Sequence, residues 1–95
     1  SNRAYGDPKV NGELKYDKEI ALGEVKGNER LWEDAKTQVA VFRADGFRFQ
    51  DRYYRFEMFS NLSRKVKAEN VWRGILASVK FAETADEKIE AKPTQ

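Results

Sequence analysis

The carboxylates are the first place to look for chemistry in this 95-residue chain, because it has no histidine and no cysteine. Their absence excludes the usual zinc donors, imidazole bases, thiol nucleophiles and disulfides, and leaves the redox compartment undetermined. Three acidic pairs stand close in sequence: Asp17 with Glu19, Glu33 with Asp34, and Asp86 with Glu87. Acid–base catalysis needs one carboxyl group whose pKa is lifted by apolar surroundings while a partner stays ionised. Each pair lies in a charged, polar stretch with nothing apolar to do the lifting. No nucleophile triad or phosphate loop is present. The chain therefore reads as non-enzymatic, with no catalytic residue, cofactor or metal and no small-molecule substrate.

The second place is the run FRADGFRFQDRYYRF, residues 42–56, where arginines alternate with rings. An arginine fork grips phosphate oxygens and an exposed ring stacks on bases, so one reading is a nucleic-acid surface. The other reading is a pair of half-buried strands. Phe47 and Phe49 share one face with Arg48 opposite; Tyr54, Phe56 and Met58 share a face with Tyr53, Arg55, Glu57 and Phe59 opposite. Period-two alternation of rings and charges is what a half-buried antiparallel sheet requires. The strand reading is favoured, with the arginines on its solvated face. Arg48 and Arg55 remain candidate contacts for a partner, as does Trp32 in the least regular part of the chain.

Charge supports the same order. The formal net charge is +2, from eighteen basic and sixteen acidic residues, which gives no general reason to expect a polyanion partner. The basic excess is local, lying between Arg43 and Arg73, and its most exposed part is SRKVK, residues 63–67. Arg64, Lys65 and Lys67 are thus the candidates for contact with an anionic surface such as a membrane. Asn61-Leu62-Ser63 fits a glycosylation sequon that matters only in a secreted protein.

The elements that must position these residues follow from period and turn chemistry. Asn11-Gly12 signals a tight turn, after which Leu14 and Tyr16 fall on one side of a strand; Asp17-Lys18 is a further turn signal. Ile20 and Leu22 share a face, Gly23 shifts the phase as a bulge would, and Lys26-Gly27-Asn28 closes the segment. Residues 28–38 read either as a short helix capped by Asn28 or as an irregular loop pinned by Trp32. TQVAVFR is a strand, Asp45-Gly46 a hairpin signal, and FRFQ the return. Val71, Trp72, Ile75, Leu76 and Val79 then form one helical stripe, predicting a helix over about 68–82. Gly74 inside it suggests close approach to the sheet. The domain spans 12–83, between an N-terminal extension (1–11) and a polar tail (84–95) expected to be disordered. Ser1-Asn2 looks like a pair left by tag removal, which would put the natural start, with any lipidation signal, upstream; an intracellular setting is favoured.

Strands TQVAVFRADGFRFQDRYYRFEMFS, a polar link and the helix AENVWRGILASVKF together resemble a pleckstrin-homology-like (PH-like) domain over roughly residues 37–82. Trp72 stands where that family has its helix tryptophan, with Leu76 and Val79 at the expected spacing. ILASVKF also resembles the last helix and strand of PsbP-like α/β sandwiches. The PH-like resemblance implies an α+β fold, a small, strongly bent antiparallel sheet or partial barrel closed by one C-terminal amphipathic helix. It also implies phosphoinositide binding around the first hairpins. There, however, Lys9, Lys15, Lys18 and Lys26 are interleaved with Glu13, Asp17, Glu19 and Glu24. The resulting expectation is a non-catalytic docking or scaffold module for a protein partner, with at most weak, non-specific attraction to anionic membranes. The alternative is a nucleic-acid-binding module using strands 42–56.

Overall fold

Rings alternating with charges build a sheet with one face for the core and one for water, and a single helix is long enough to cover the first. The computed structural model describes residues 12–83; the extension and the tail lie outside them. Four strands, β1 (Glu13–Leu22), β2 (Val25–Asp34), β3 (Val39–Phe49) and β4 (Arg52–Asn61), are followed by a 3-10 turn (Leu62–Arg64) and the helix α1 (Lys65–Ser78). The strands pair antiparallel in sequence order, so the sheet is a meander with β1 and β4 at its edges. The chain is α+β as expected, but the sheet is open: it neither closes nor curls strongly, and the strongly bent sheet or partial barrel is not formed.

Two bulges decide which side chains meet the helix. In β1 the register slips between Leu14 and Tyr16, so Leu14 pairs with Trp32 while Tyr16 pairs with Leu31. Because one extra residue inverts the alternation, Leu14 and Tyr16 stand on opposite faces rather than together. In β3 the slip falls between Ala44 and Phe47. Asp45-Gly46 is therefore a bulge and not a hairpin turn: Gly46, at φ +81°, supplies the left-handed residue that either structure would need. The slip brings Phe47 onto the same face as Phe42 and Ala44. The β3–β4 turn is instead Gln50-Asp51, at φ +53° and +64°, the pair of positive values that a type I′ turn requires.

Three further expectations are corrected. Asp17-Lys18 lies within β1, and the β1–β2 turn is Gly23-Glu24, with Gly23 at φ +68°. Residues 28–34 are the second half of β2, leaving 35–38 as a turn in which the Lys36 amide donates to Asp34 Oδ1 at 2.9 Å. Here Trp32 and Leu31 follow strand alternation, and pairing on both sides overrides the weak helix signal. Lys26-Gly27-Asn28 does not close a segment: Gly27 is buried in β2, where an added Cβ would stand 2.5 Å from the Phe47 ring.

The covered face holds the core: Leu31, Ala40, Phe42, Ala44 and Phe47 from the sheet, Trp72 and Leu76 from the helix. Burying each large side chain contributes about 1.5–3 kcal/mol. Phe42 meets Trp72 with ring centroids 5.7 Å apart. Val79 leaves α1 in an extended conformation, and Phe81 packs against Phe47, Phe49 and Tyr54. The helix is displaced toward the N-terminus relative to 68–82, so Val79 falls outside it. Val71 and Ile75 are exposed. Gly74 does not approach the sheet, since a methyl group added there would meet nothing within 4 Å.

Candidate functional site

On the open face, register lines up one apolar side chain from each strand. Leu14 pairs with Trp32, Trp32 with Val41, and Val41 with Phe59. Leu14 and Phe59, at the two ends of the row, are 48% and 64% exposed, while Trp32 is half-buried and Val41 buried between them. The next rank along the strands is charged: Asp17, Arg30, Arg43 and Glu57. Arg30 donates to Asp17 at 3.1 Å and to Asp45 at 3.2 Å, while Arg43 meets Glu57 at 2.7 Å. The Arg43 guanidinium also lies 5.0 Å from the centre of the Trp32 ring, so that half-buried ring is held by a cation.

Each sequence-predicted contact residue of the arginine–aromatic strands lies on this same face. Trp32 is in the apolar row. Arg55 is 4.0 Å from Asp45. Arg48 donates to Asp51 at 3.0 Å and stands 6.0 Å from the centre of the exposed Tyr53 ring. These arginines are therefore answered by carboxylates, and the face offers an outside ligand apolar rows more readily than a block of positive charge. Leu14 and Val41 are the members that sequence reasoning misses. Phe59 is opposite Met58 in the alternation and so is legible, but Leu14 depends on the bulge at Lys15.

The basic run does not act as a unit. Lys65 donates to Glu33 at 2.6 Å, and that bond holds its ammonium above the usual lysine pKa. Glu33 also places a negative charge near a helix N-terminus whose first turn has no acid of its own. Arg64 and Lys67 remain exposed; Arg64 lines one hollow with Ser63, Val66, Lys67 and Asn70, and another with Val39, Phe59 and Asn61. The second hollow puts Arg64 beside the apolar row.

The covered face has a polar cluster that sequence reasoning also misses. Glu29, fully buried, accepts from Tyr16 Oη and Trp72 Nε1, each at 2.8 Å, and from the Arg73 guanidinium, all on Oε2. Oε1 is buried without a partner among the described residues. Burial pushes the Glu29 carboxyl up in pKa, but the bonds from Arg73, Trp72 and Tyr16 outweigh it and hold the group below its ordinary value. The same arrangement raises Tyr16, first by burial and then by its bond to a carboxylate. Burial works against the charge of the half-exposed Arg73, and Glu29 more than offsets it, so the guanidinium is held charged. With the tryptophan and tyrosine locked in bonds to the acid, the cluster pins the helix to β1 and β2. Nothing in the sequence around Glu29 announces it; only its pairing across the sheet does.

Among the described residues there is no group of three or more acids suited to a metal ion, and no helix long and apolar enough to cross a membrane. Comparison with protein-family models, with curated proteins and with solved structures gave no match.

Proposed function

We propose that this chain is a non-catalytic docking module that takes a protein segment on the open face of its sheet. The observation that carries the reading is the row Leu14–Trp32–Val41–Phe59, a line of apolar groups across all four strands on the face away from the helix, exposed at Leu14 and Phe59, half-buried at Trp32 and buried at Val41 between its neighbours. Around it the charges of both signs are matched in place, as at an interface with an apolar centre and a polar rim. A ring held rigid by a buried arginine loses little entropy on contact, which suits Trp32 to be an anchor. The PH-like resemblance belongs to this reading. Strands ending in a helix with a buried tryptophan support it, and the open four-stranded sheet departs from it.

The rival reading, a nucleic-acid module through Arg48, Arg55 and Tyr53, has the exposed Tyr53 ring beside Arg48 in its favour. Asp51 and Asp45 beside those arginines weigh against it. Membrane contact is weak and non-specific on this reading, carried by Arg64 and Lys67. Fluorescence titration at physiological salt is expected to give no RNA or single-stranded DNA binding tighter than about 10 μM, somewhat tighter than typical non-specific affinity. A photo-crosslinking residue in place of Leu14, on the edge strand away from β4, is expected to capture a discrete protein, lost in Trp32→Ala. Sub-micromolar, salt-sensitive RNA binding abolished by Arg48→Ala with Arg55→Ala would replace the docking reading with its rival.

A further inference from the structure

The two edges of the sheet are built differently. β1 has its bulge at Lys15 and a run of charges, Lys15, Asp17, Lys18 and Glu19, the devices by which edge strands avoid pairing. β4 is regular over ten residues, carries rings at Tyr53, Tyr54, Phe56 and Phe59, and has a neighbour on one side only among the described residues. Tyr53 and Phe59 are 72% and 64% exposed.

Residues opposite one another in an antiparallel pair point to the same face. Two copies of β4 related by a two-fold axis through the sheet must therefore be centred on a residue. Centring on Arg55 or on Glu57 sets that charge against itself. Centring on Phe56 sets Arg55 against Glu57 of the second copy, and the symmetry makes this pair twice. The same register sets Tyr53 against Phe59 and Tyr54 against Met58, again twice each. The strand Tyr53-Tyr54-Arg55-Phe56-Glu57-Met58-Phe59 is thus self-complementary in charge and in ring placement. The helix agrees with it. Arg73 reaches β1 and β2, so the opposite flank of α1, with the exposed Val71 and Ile75, lies on the β4 side.

We infer that the chain forms a two-fold dimer in which β4 pairs antiparallel with β4 of a second copy, centred on Phe56, making one continuous sheet. Both helices lie on the same face of that sheet, with Val71 and Ile75 on the side toward the seam. Arg55 and Glu57 keep their neighbours Asp45 and Arg43 within each copy and add the pair across the seam. The surface is the strand edge and shares only Phe59 with the open-face docking row.

The test is a charge exchange followed by sedimentation equilibrium. The unaltered chain is expected to be a reversible dimer. Arg55→Glu sets acid against Glu57 at two places, and Glu57→Arg sets base against Arg55 at two; each alone should weaken the dimer about tenfold or more. An equimolar mixture of the two variants restores opposite charges in the mixed dimer and is expected to recover association. Because Glu57 meets the buried Arg43, Tyr53→Lys and Phe59→Glu provide a second exchange at exposed positions, with circular dichroism checking the fold. Trp32→Ala should leave the dimer intact. A chain that stays monomeric at about 1 mM, the weak limit of measurable affinity, overturns the inference. A dimer unaffected by both exchanges, or a mixture that fails to recover, overturns it as well. So does a chain ending at residue 83 that dimerises more weakly than the full chain, because the contact would then belong to the tail.

Discussion

The two faces of the sheet are written in the same alternating sequence and hold together by different physics. On the covered face the large groups are buried and apolar, and the fully buried acid there, Glu29, is fixed by three donors. On the open face the charges are many, partly wet and paired sideways between strands, with apolar groups left exposed among them. Removing a group from the first face leaves a cavity or an orphaned donor; removing one from the second is largely repaired by water. Stability should therefore reside on one face and binding on the other.

The largest expected difference between the two faces is at the tryptophans. Trp72→Ala is expected to destabilise the domain by about 3–5 kcal/mol in urea unfolding, the range for deleting a buried large aromatic. Trp32→Ala, on the open face, is expected to cost about 1 kcal/mol or less, since water can fill the site and mainly the stacking on Arg43 is lost. Equal costs for the two would erase the division between the faces.

Next in size is Glu29. Its carboxyl lies below the ordinary value of 4.5 in the folded chain, so the unfolded chain binds its proton first as pH falls. The stability it supplies is whole above pH 4.5 and is lost as pH falls through the folded value. Glu29→Gln is expected to cost about 1–3 kcal/mol at neutral pH, because buried donors lose a charged acceptor. The variant and the parent should converge in strong acid. Unfolding curves across that range check both points, and a constant gap at all pH values would mean that the carboxylate charge contributes nothing.

Smallest is Gly74. It lies in the helix at an ordinary negative φ with open space around it. Gly74→Ala is expected to stabilise by about 0.5–1 kcal/mol through helix propensity, read as a raised melting temperature. Destabilisation there would place a neighbour against the exposed flank of α1.

Residues 39–61 are the legible half of the fold because rings and charges alternate there, and the face assignments of Tyr54, Phe56 and Met58 hold. The helix is legible from Trp72 and Leu76, though its start at Lys65 is hidden in a basic run that lacks a capping side chain. Turn chemistry is where sequence reasoning fails. Asp45-Gly46 and Lys26-Gly27 carry the residue types of turns, yet both glycines serve strands, one as a bulge and one as floor for the Phe47 ring. Gln50-Asp51, with no glycine, makes the actual turn. Of the site, Trp32, Arg48 and Arg55 are legible and fall on one face, but Leu14 is put on the wrong side by a bulge that leaves no mark in the sequence. Glu29 is beyond reach altogether, since its role is set by residues 43 and 44 positions away.

That separation has a kinetic consequence. Every strand pair in the meander joins neighbours in sequence, and such hairpins form in about 1–10 μs. The bonds from α1 back to Tyr16 and Glu29 span up to 57 residues and close far longer loops than the strand pairings do. Docking of the helix is thus expected to be a late event in folding and its departure an early event in unfolding, which Trp72→Ala refolding and unfolding rates would check. Substitutions at Trp72 or Glu29 are expected to accelerate unfolding far more than they slow folding, so the lifetime of the native state is set by one helix letting go of one buried acid.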